Sequence, residues 1–312
     1  MRFHAVLPVR DEDDIIAQCL ENALTWCDAI YIYDTGSVDN TWQIVQEFAG
    51  QDSRIIPFKK ESIIYRDGIR AFVFSEFRHR AKEGDWFVRL DADEFYHISP
   101  PEFVRSKVKS YETCIYNQTY EFRYTTEDLM NWESGCETLA DRQQPIDTRR
   151  RYYIPLEYSE PRMFRYRNTM QWSPSNSFPY NAGFVARQRI PIKHYPHRDP
   201  IQLQKRCKLR SVIADPKLTG NEHSTHWRIA EWQEFVSDTN TLGVRYWQSG
   251  TELPVYQFDN HLASPSKRII QFFTHRLLLP ILDRTRPKFP ADYQPELIPP
   301  EVDRQLKSLS RT

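Results

Sequence analysis

Four short apolar runs, at residues 3–9, 29–33, 54–58 and 86–90, are separated by stretches of helical period, and this alternation restricts the fold more than any other feature. Residues 13–26 place Ile15, Ile16, Cys19, Leu20, Ala23 and Leu24 on one stripe, which predicts an amphipathic helix. Asn40, with Gln43 three positions on, predicts a boxed helix start whose apolar face is Ile44, Val45 and Phe48. Residues 69–82 predict a third helix. Strands separated by helices of this length pair in parallel through right-handed crossovers. Parallel strands buried on both faces read as unbroken apolar runs, as these do. The expectation is an α/β fold with a mostly parallel central sheet and helices on both faces.

The second run ends in Asp34-Thr35-Gly36-Ser37, the signature found around each catalytic carboxylate of an aspartic protease. Such an enzyme needs two carboxylates sharing a proton. No second Asp-Thr-Gly or Asp-Ser-Gly occurs: Asp67-Gly68 lacks the middle residue, and Asp238-Thr239 is followed by Asn240. The α/β pattern also conflicts with an all-β protease. Asp34 instead ends a parallel strand, and in such sheets ligands bind beyond the carboxyl ends, at the switch point. Two other polar clusters fall on that edge, Pro8-Val9-Arg10-Asp11-Glu12 and Asp91-Ala92-Asp93-Glu94. A carboxylate at Asp34 suits a base N–H or ribose hydroxyl, Gly36 allows a tight turn, and Asp91-x-Asp93 offers hard oxygens to Mg²⁺ or Mn²⁺.

Pro8-x-Arg10-x-Glu12, Asp34-x-Gly36-Ser37-x-Asp39-x-Thr41 and Gly84-Asp85-Trp86…Leu90-Asp91-Ala92-Asp93-Glu94 together resemble the family 2 glycosyltransferases of the GT-A fold. The resemblance covers residues 3–96. It implies a Rossmann-like, mostly parallel sheet and a metal-dependent, inverting transfer from a nucleotide-diphospho-sugar, a UDP-sugar foremost, to a glycan, lipid-linked or other hydroxyl acceptor. It implies a nucleoside pocket at Pro8, Arg10, Glu12 and Asp34, with Asp91 at the ribose or metal and Asp93 on Mn²⁺ or Mg²⁺. There are departures. The family commonly has Asn at the place of Asp11 and a second acid at the place of Thr35. Many members carry Arg-Asn on the preceding helix, where this chain has Ser75-Glu76, so Arg66 or Arg70 is the candidate for the diphosphate. Asp39 is read as favouring the next helix N-terminus.

Beyond residue 110 the pattern loosens. Residues 111–124 and 162–166 predict strands, and 125–151 a polar, mobile stretch. Asp199-Pro200 predicts a helix start, with the helix over 202–214, a further one over 227–236 with Ile229, Trp232, Phe235 and Val236 inward, and an extended tail over 280–300, which holds six prolines. The expected domains are a catalytic 1–215, with nucleotide-binding (1–110) and acceptor-side (111–215) halves, and a helical extension with a Pro-rich tail, 216–312. Arg162-Met163-Phe164-Arg165 resembles the family strand that follows the acceptor-side acid. An inverting transferase needs a base for the acceptor hydroxyl: Glu157 and Glu160 are the candidates, Asp141 a weaker one. His194 is a candidate third metal ligand, as in several GT-A enzymes, and Arg198 a candidate for the leaving diphosphate.

Two other functions fit parts of the pattern. The run before Asp91-x-Asp93 resembles the nucleophile motif of haloacid-dehalogenase-like phosphohydrolases, but Phe95 stands where that motif needs Thr or Val. A non-catalytic relative that only binds sugar nucleotide also fits. Lys+Arg and Asp+Glu both total 42, so no net field favours nucleic acid. Five scattered cysteines without a C-x-x-C, and no spanning or signal-like segment, point to a reduced, cytoplasmic setting. Residues 267–282 mix apolar and basic side chains, which suits peripheral membrane contact at the inner face, packing on the catalytic domain, or a homodimer interface.

Overall fold

The computed structural model of the protein describes residues 1–66, 68–213, 231–256 and 264–309. The sheet opens with β1 (Phe3–Val9), β2 (Ala29–Asp34), β3 (Ile55–Lys60) and β4 (Trp86–Arg89). They lie in the order β3-β2-β1-β4, and every pairing among them is parallel. The chain steps outward from β1 to β3, then crosses back to lay β4 on the other side of β1. The switch point therefore falls between β1 and β4.

The pleat sorts these strands into two cores. Ala5, Leu7, Val9, Ile30 and Ile32 pack with α1 (Ile16–Leu24) and with Val45 of α2 (Thr41–Gln51). The alternate residues Val6, Tyr31, Tyr33 and Phe87 pack with α3 (Gly68–Phe77). Burial on both faces is why the runs show no alternation of polarity. The box expected at α2 does not form. Asp39 Oδ1 accepts the Thr41 N–H at 2.9 Å, Asn40 makes no side-chain cap, and Gln43 donates to Glu47. An acid at that place adds its charge to the helix dipole, which an amide does not.

The second half is antiparallel and mixed. After β5 (Glu94–Tyr96) and α4 (Pro100–Lys107) comes the long β6 (Cys114–Phe122), then β7 (Tyr124–Thr125), α5 (Thr126–Glu133), α6 (Ile146–Arg149) and β8 (Tyr152–Pro155). β9 (Pro161–Arg165) is antiparallel to both β4 and β6 and joins the two halves. β10 (Ile190–His194) runs parallel to β6 and antiparallel to β5. α7 (Pro200–Ile213) follows, started by Asp199 Oδ1 accepting the Gln202 N–H at 2.9 Å.

Three expectations are corrected. Residues 125–151 are folded. Thr125 and Asp128 box the start of α5, and the buried Arg150 lies 3.2 Å from Asp128 and 2.7 Å from Glu137. The charges that made this stretch read as solvated neutralise one another inside it. Residues 232–235 form a single 3₁₀ turn, and Val236–Ser237 (β11) pairs with β7; Trp232, Phe235 and Val236 are only half-buried, and Ile229 lies outside the described residues. A last short strand, β12 (Arg245–Tyr246), pairs with β8.

The 280–300 tail is the third correction. α8 (Pro265–Arg284) runs through Pro280, because one turn on Asp283 is held at 3.0 Å by Arg167 and at 2.8 Å by Thr169. α9 (Pro300–Leu309) begins with a proline, which the first helical turn tolerates. It buries Val302 and Leu306 with Ile64, Val212 and Ile298. No helix among the described residues is long and apolar enough to cross a membrane.

Candidate active site

The carboxyl ends of β1, β2 and β4 meet at the switch point, and the turn after β2 is built first. Asp34 Oδ1 accepts the N–H groups of Gly36 (2.8 Å) and Ser37 (2.6 Å). Gly36 has φ 107°, and a Cβ there would lie 2.8 Å from Ser62 Cα, so only glycine fits without displacing the next loop. Asp34 Oδ2 is buried with no hydrogen-bond partner among the described residues. Burial pushes this carboxyl up, against the pull of the Ser37 and Gly36 amides.

The turn after β1 locks onto it. Asp11 adopts φ 53°, a conformation that Asp and Asn tolerate better than most side chains. Its Oδ1 accepts Val38 N–H at 2.8 Å, and Arg10 donates to the Thr35 carbonyl at 3.0 Å.

A cavity of about 270 Å³ opens over these turns, lined among others by Arg10, Glu12, Thr35, Asp91, Asp93 and Arg206. Pro8 also lines it, as expected; Asp34, expected in the same pocket wall, is fully buried and does not line the cavity, whereas the next residue, Thr35, does. Its far side is α7, which contributes Gln202, Lys205, Leu209 and Arg210. These α7 cations were missed by sequence reasoning, although Lys205, Arg206 and Arg210 recur at near-helical spacing in a segment expected to be helical.

The acids on the floor are matched by buried cations. Asp91 bonds Arg70 through Oδ1 and Arg162 through Oδ2, the latter at 3.0 Å. Burial alone would raise Asp91, and Arg70 and Arg162 outweigh it and lower it. Asp93 faces His194 at 3.4 Å, Arg206 at 3.5 Å and Arg198 at 3.9 Å. Burial opposes its ionisation, yet these partners hold it well below the usual carboxylate range. Glu12 pairs with Arg198, and burial still pushes it to about 7. Glu94, 2.6 Å from Arg162, is likewise pushed up by burial to about 7.

The remaining candidates sit as follows. Arg70 is buried at the site, bonded to Tyr65 as well as Asp91. Arg66 is exposed and 2.8 Å from Glu296, and it does not line the cavity. Arg198 is fully buried between Glu12 and Asp14, where it holds β1's exit turn to the start of α7. Glu160 lies 2.9 Å from Arg162 and 3.3 Å from Arg89, one cation away from Asp91. Glu157 is exposed on the loop before β9. Asp141 caps its own 3₁₀ turn by accepting the Thr138 N–H at 2.8 Å.

Among the described residues, no three His, Cys, Asp or Glu side chains are grouped to hold a metal ion. Asp91 and Asp93 both line the cavity, and their donor chemistry suits a hard divalent cation. His194 presents a different chemistry. Its two ring nitrogens face Asp93 at 3.4 Å and Glu121 at 3.6 Å. Burial alone would lower it, but the two carboxylates raise it to about 10.

A polar crevice outside the carboxyl ends of parallel strands, at a switch point, is where open α/β sheets bind their ligands. The family model "Glycosyl transferase family 2" matches residues 5–190, and the chain belongs to that family, with its GT-A fold. This removes the phosphohydrolase reading. A comparison with curated proteins gave no match. Among solved structures, a mannosyltransferase from Pyrobaculum calidifontis in complex with GDP-Man and Mn²⁺ aligns at 16% identity and TM-score 0.30, over 42% of this chain and 37% of that one. S. aureus TarS 1-349, in complex with UDP-GlcNAc, aligns at 14% identity and TM-score 0.28, over 40% and 35%. In both, the match spans well under half of the solved chain.

Proposed function

We propose that this chain transfers a sugar from a nucleotide-diphospho-sugar to a hydroxyl acceptor, with inversion at the anomeric carbon. The observation that carries the reading is the meeting of Arg10, Glu12, Asp91 and Asp93 in one cavity at the switch point of a family 2 chain. Asp34 acts from behind the cavity: its Oδ1 holds the Gly36 and Ser37 amides and so fixes the turn that presents Thr35. Asp91 and Asp93 would hold Mn²⁺ or Mg²⁺, which when bound neutralises the donor's diphosphate. The mannosyltransferase structure named above contains Mn²⁺. Lys205, Arg206 and Arg210 line the same cavity and add positive charge for the diphosphate as the sugar leaves. Glu160 is the favoured base: Arg162 bridges it to Asp91, which puts it beside the donor site without lining the donor cavity. A UDP-sugar is the donor to test first. The test is release of free nucleoside diphosphate from a panel of nucleotide sugars with glycan and lipid-linked acceptors. Acceptor-dependent release that Glu160→Gln abolishes supports the reading. Binding without release by any donor and acceptor favours a non-catalytic relative.

A further inference from the structure

α8 turns its most apolar side to solvent. Ile269, Ile270, Phe273, Leu277 and Ile281 are each more than half exposed. Steps of four residues from 269 to 281, with Ile270 alongside, set them on one continuous stripe. The opposite side docks on the body. Phe272 meets Tyr111 and Phe184 edge-on, Arg268 lies 4.5 Å over the Phe184 ring, and Asp283 is held by Arg167. The stripe therefore belongs to a helix already fixed in place by its other face. Single exposed apolar residues are ordinary, but a contiguous patch on a surface helix marks a docking face.

The charges around the stripe indicate what covers it. Between Ser264 and Pro290 the chain carries Lys267, Arg268, Arg276, Arg284, Arg286 and Lys288, against one acid, Asp283. That acid is fully buried and paired. Lys267, Arg276, Arg284, Arg286 and Lys288 are exposed. In a chain whose net charge is zero, this one surface is apolar in the middle and only basic around it. A second copy seated on the same face would bring two such helices together with no exposed acid on either to offset their cations. A bilayer surface with anionic headgroups matches both parts, the stripe entering the acyl boundary and the cations meeting the headgroups.

We propose that α8 is an interfacial helix that docks the protein on an anionic lipid surface. The full chain is to be sedimented with phosphatidylcholine vesicles, with and without phosphatidylglycerol. Pelleting is expected only with the anionic vesicles. It should fall at least about tenfold in Phe273→Glu/Leu277→Glu, and comparably in Arg276→Glu/Arg284→Glu. All four side chains are exposed, so both variants should keep the parent's melting temperature. Failure of the parent chain to pellet with anionic vesicles overturns the proposal. So does undiminished pelleting of the apolar variant. A dimer in sedimentation velocity that the apolar variant dissociates, without vesicle binding, assigns the face to a second copy instead.

Discussion

Arg162 on β9 lies 3.0 Å from Asp91 Oδ2 at the end of β4, so a buried guanidinium ties the antiparallel half of the sheet to the half-buried carboxylate at the carboxyl edge of the parallel half. The same guanidinium lies 2.6 Å from Glu94 and 2.9 Å from Glu160. Removing it strands the buried Glu94 carboxylate, which must then be protonated or hydrated. Arg162→Ala should cost about 3–5 kcal/mol in urea unfolding, since breaking a buried pair from one side strands the other charge. Arg162→Lys should recover only part of this, because an ammonium cannot reproduce the planar fork. A loss in Arg162→Ala no larger than that of an ordinary surface substitution would show that the pairs are not coupled to stability.

Gly36 combines a left-handed φ with a close approach to Ser62. Gly36→Ala should destabilise by about 1–3 kcal/mol, from backbone strain together with displacement of the Ser62 loop. Because Gly36 N–H also orients Asp34, the variant should weaken nucleotide binding more than its melting temperature alone predicts. Parallel thermal and binding titrations separate the two effects.

Asp199 supplies the acid-side pH dependence that can be assigned to one pair. It is fully buried, and burial alone would raise its carboxyl, but Arg142, bidentate at 2.9 Å, and the Gln202 N–H lower it. A carboxyl depressed in the folded state contributes stability that is present above its unfolded value and lost as pH falls through the folded one. Urea midpoints should therefore decline below the ordinary carboxylate range. In Asp199→Asn the midpoint should be lower at neutral pH and the decline shallower. An unchanged acid slope would assign the dependence to other carboxylates.

Much of this was legible in the sequence, for reasons specific to each part. Strands buried on both faces left unbroken apolar runs, and Asp34, Asp91 and Asp93 stand at strand ends where local pattern fixes their place. Arg162 was read only as part of a strand. Its role depends on β9 crossing to β4, a pairing of residues more than seventy positions apart that no local signal announces. Residues 125–151 were misread because Arg150, Asp128 and Glu137 are charged yet satisfy one another in the interior. α8 outlasted Pro280 because tertiary contacts at Leu279 and Asp283 outweigh the lost N–H. His194 was read from its residue type as a ligand, and only the fold shows that Asp93 and Glu121 flank its ring.

The central claim is that Asp93 makes the cavity a metal-assisted nucleoside diphosphate site, and calorimetric titration of UDP and GDP tests it most directly. With Mn²⁺ present, one of them should bind the parent chain, and either chelation or Asp93→Ala should weaken that binding at least about tenfold, a difference of about 1.4 kcal/mol. Equal affinity in parent and Asp93→Ala, with and without Mn²⁺, would contradict the account.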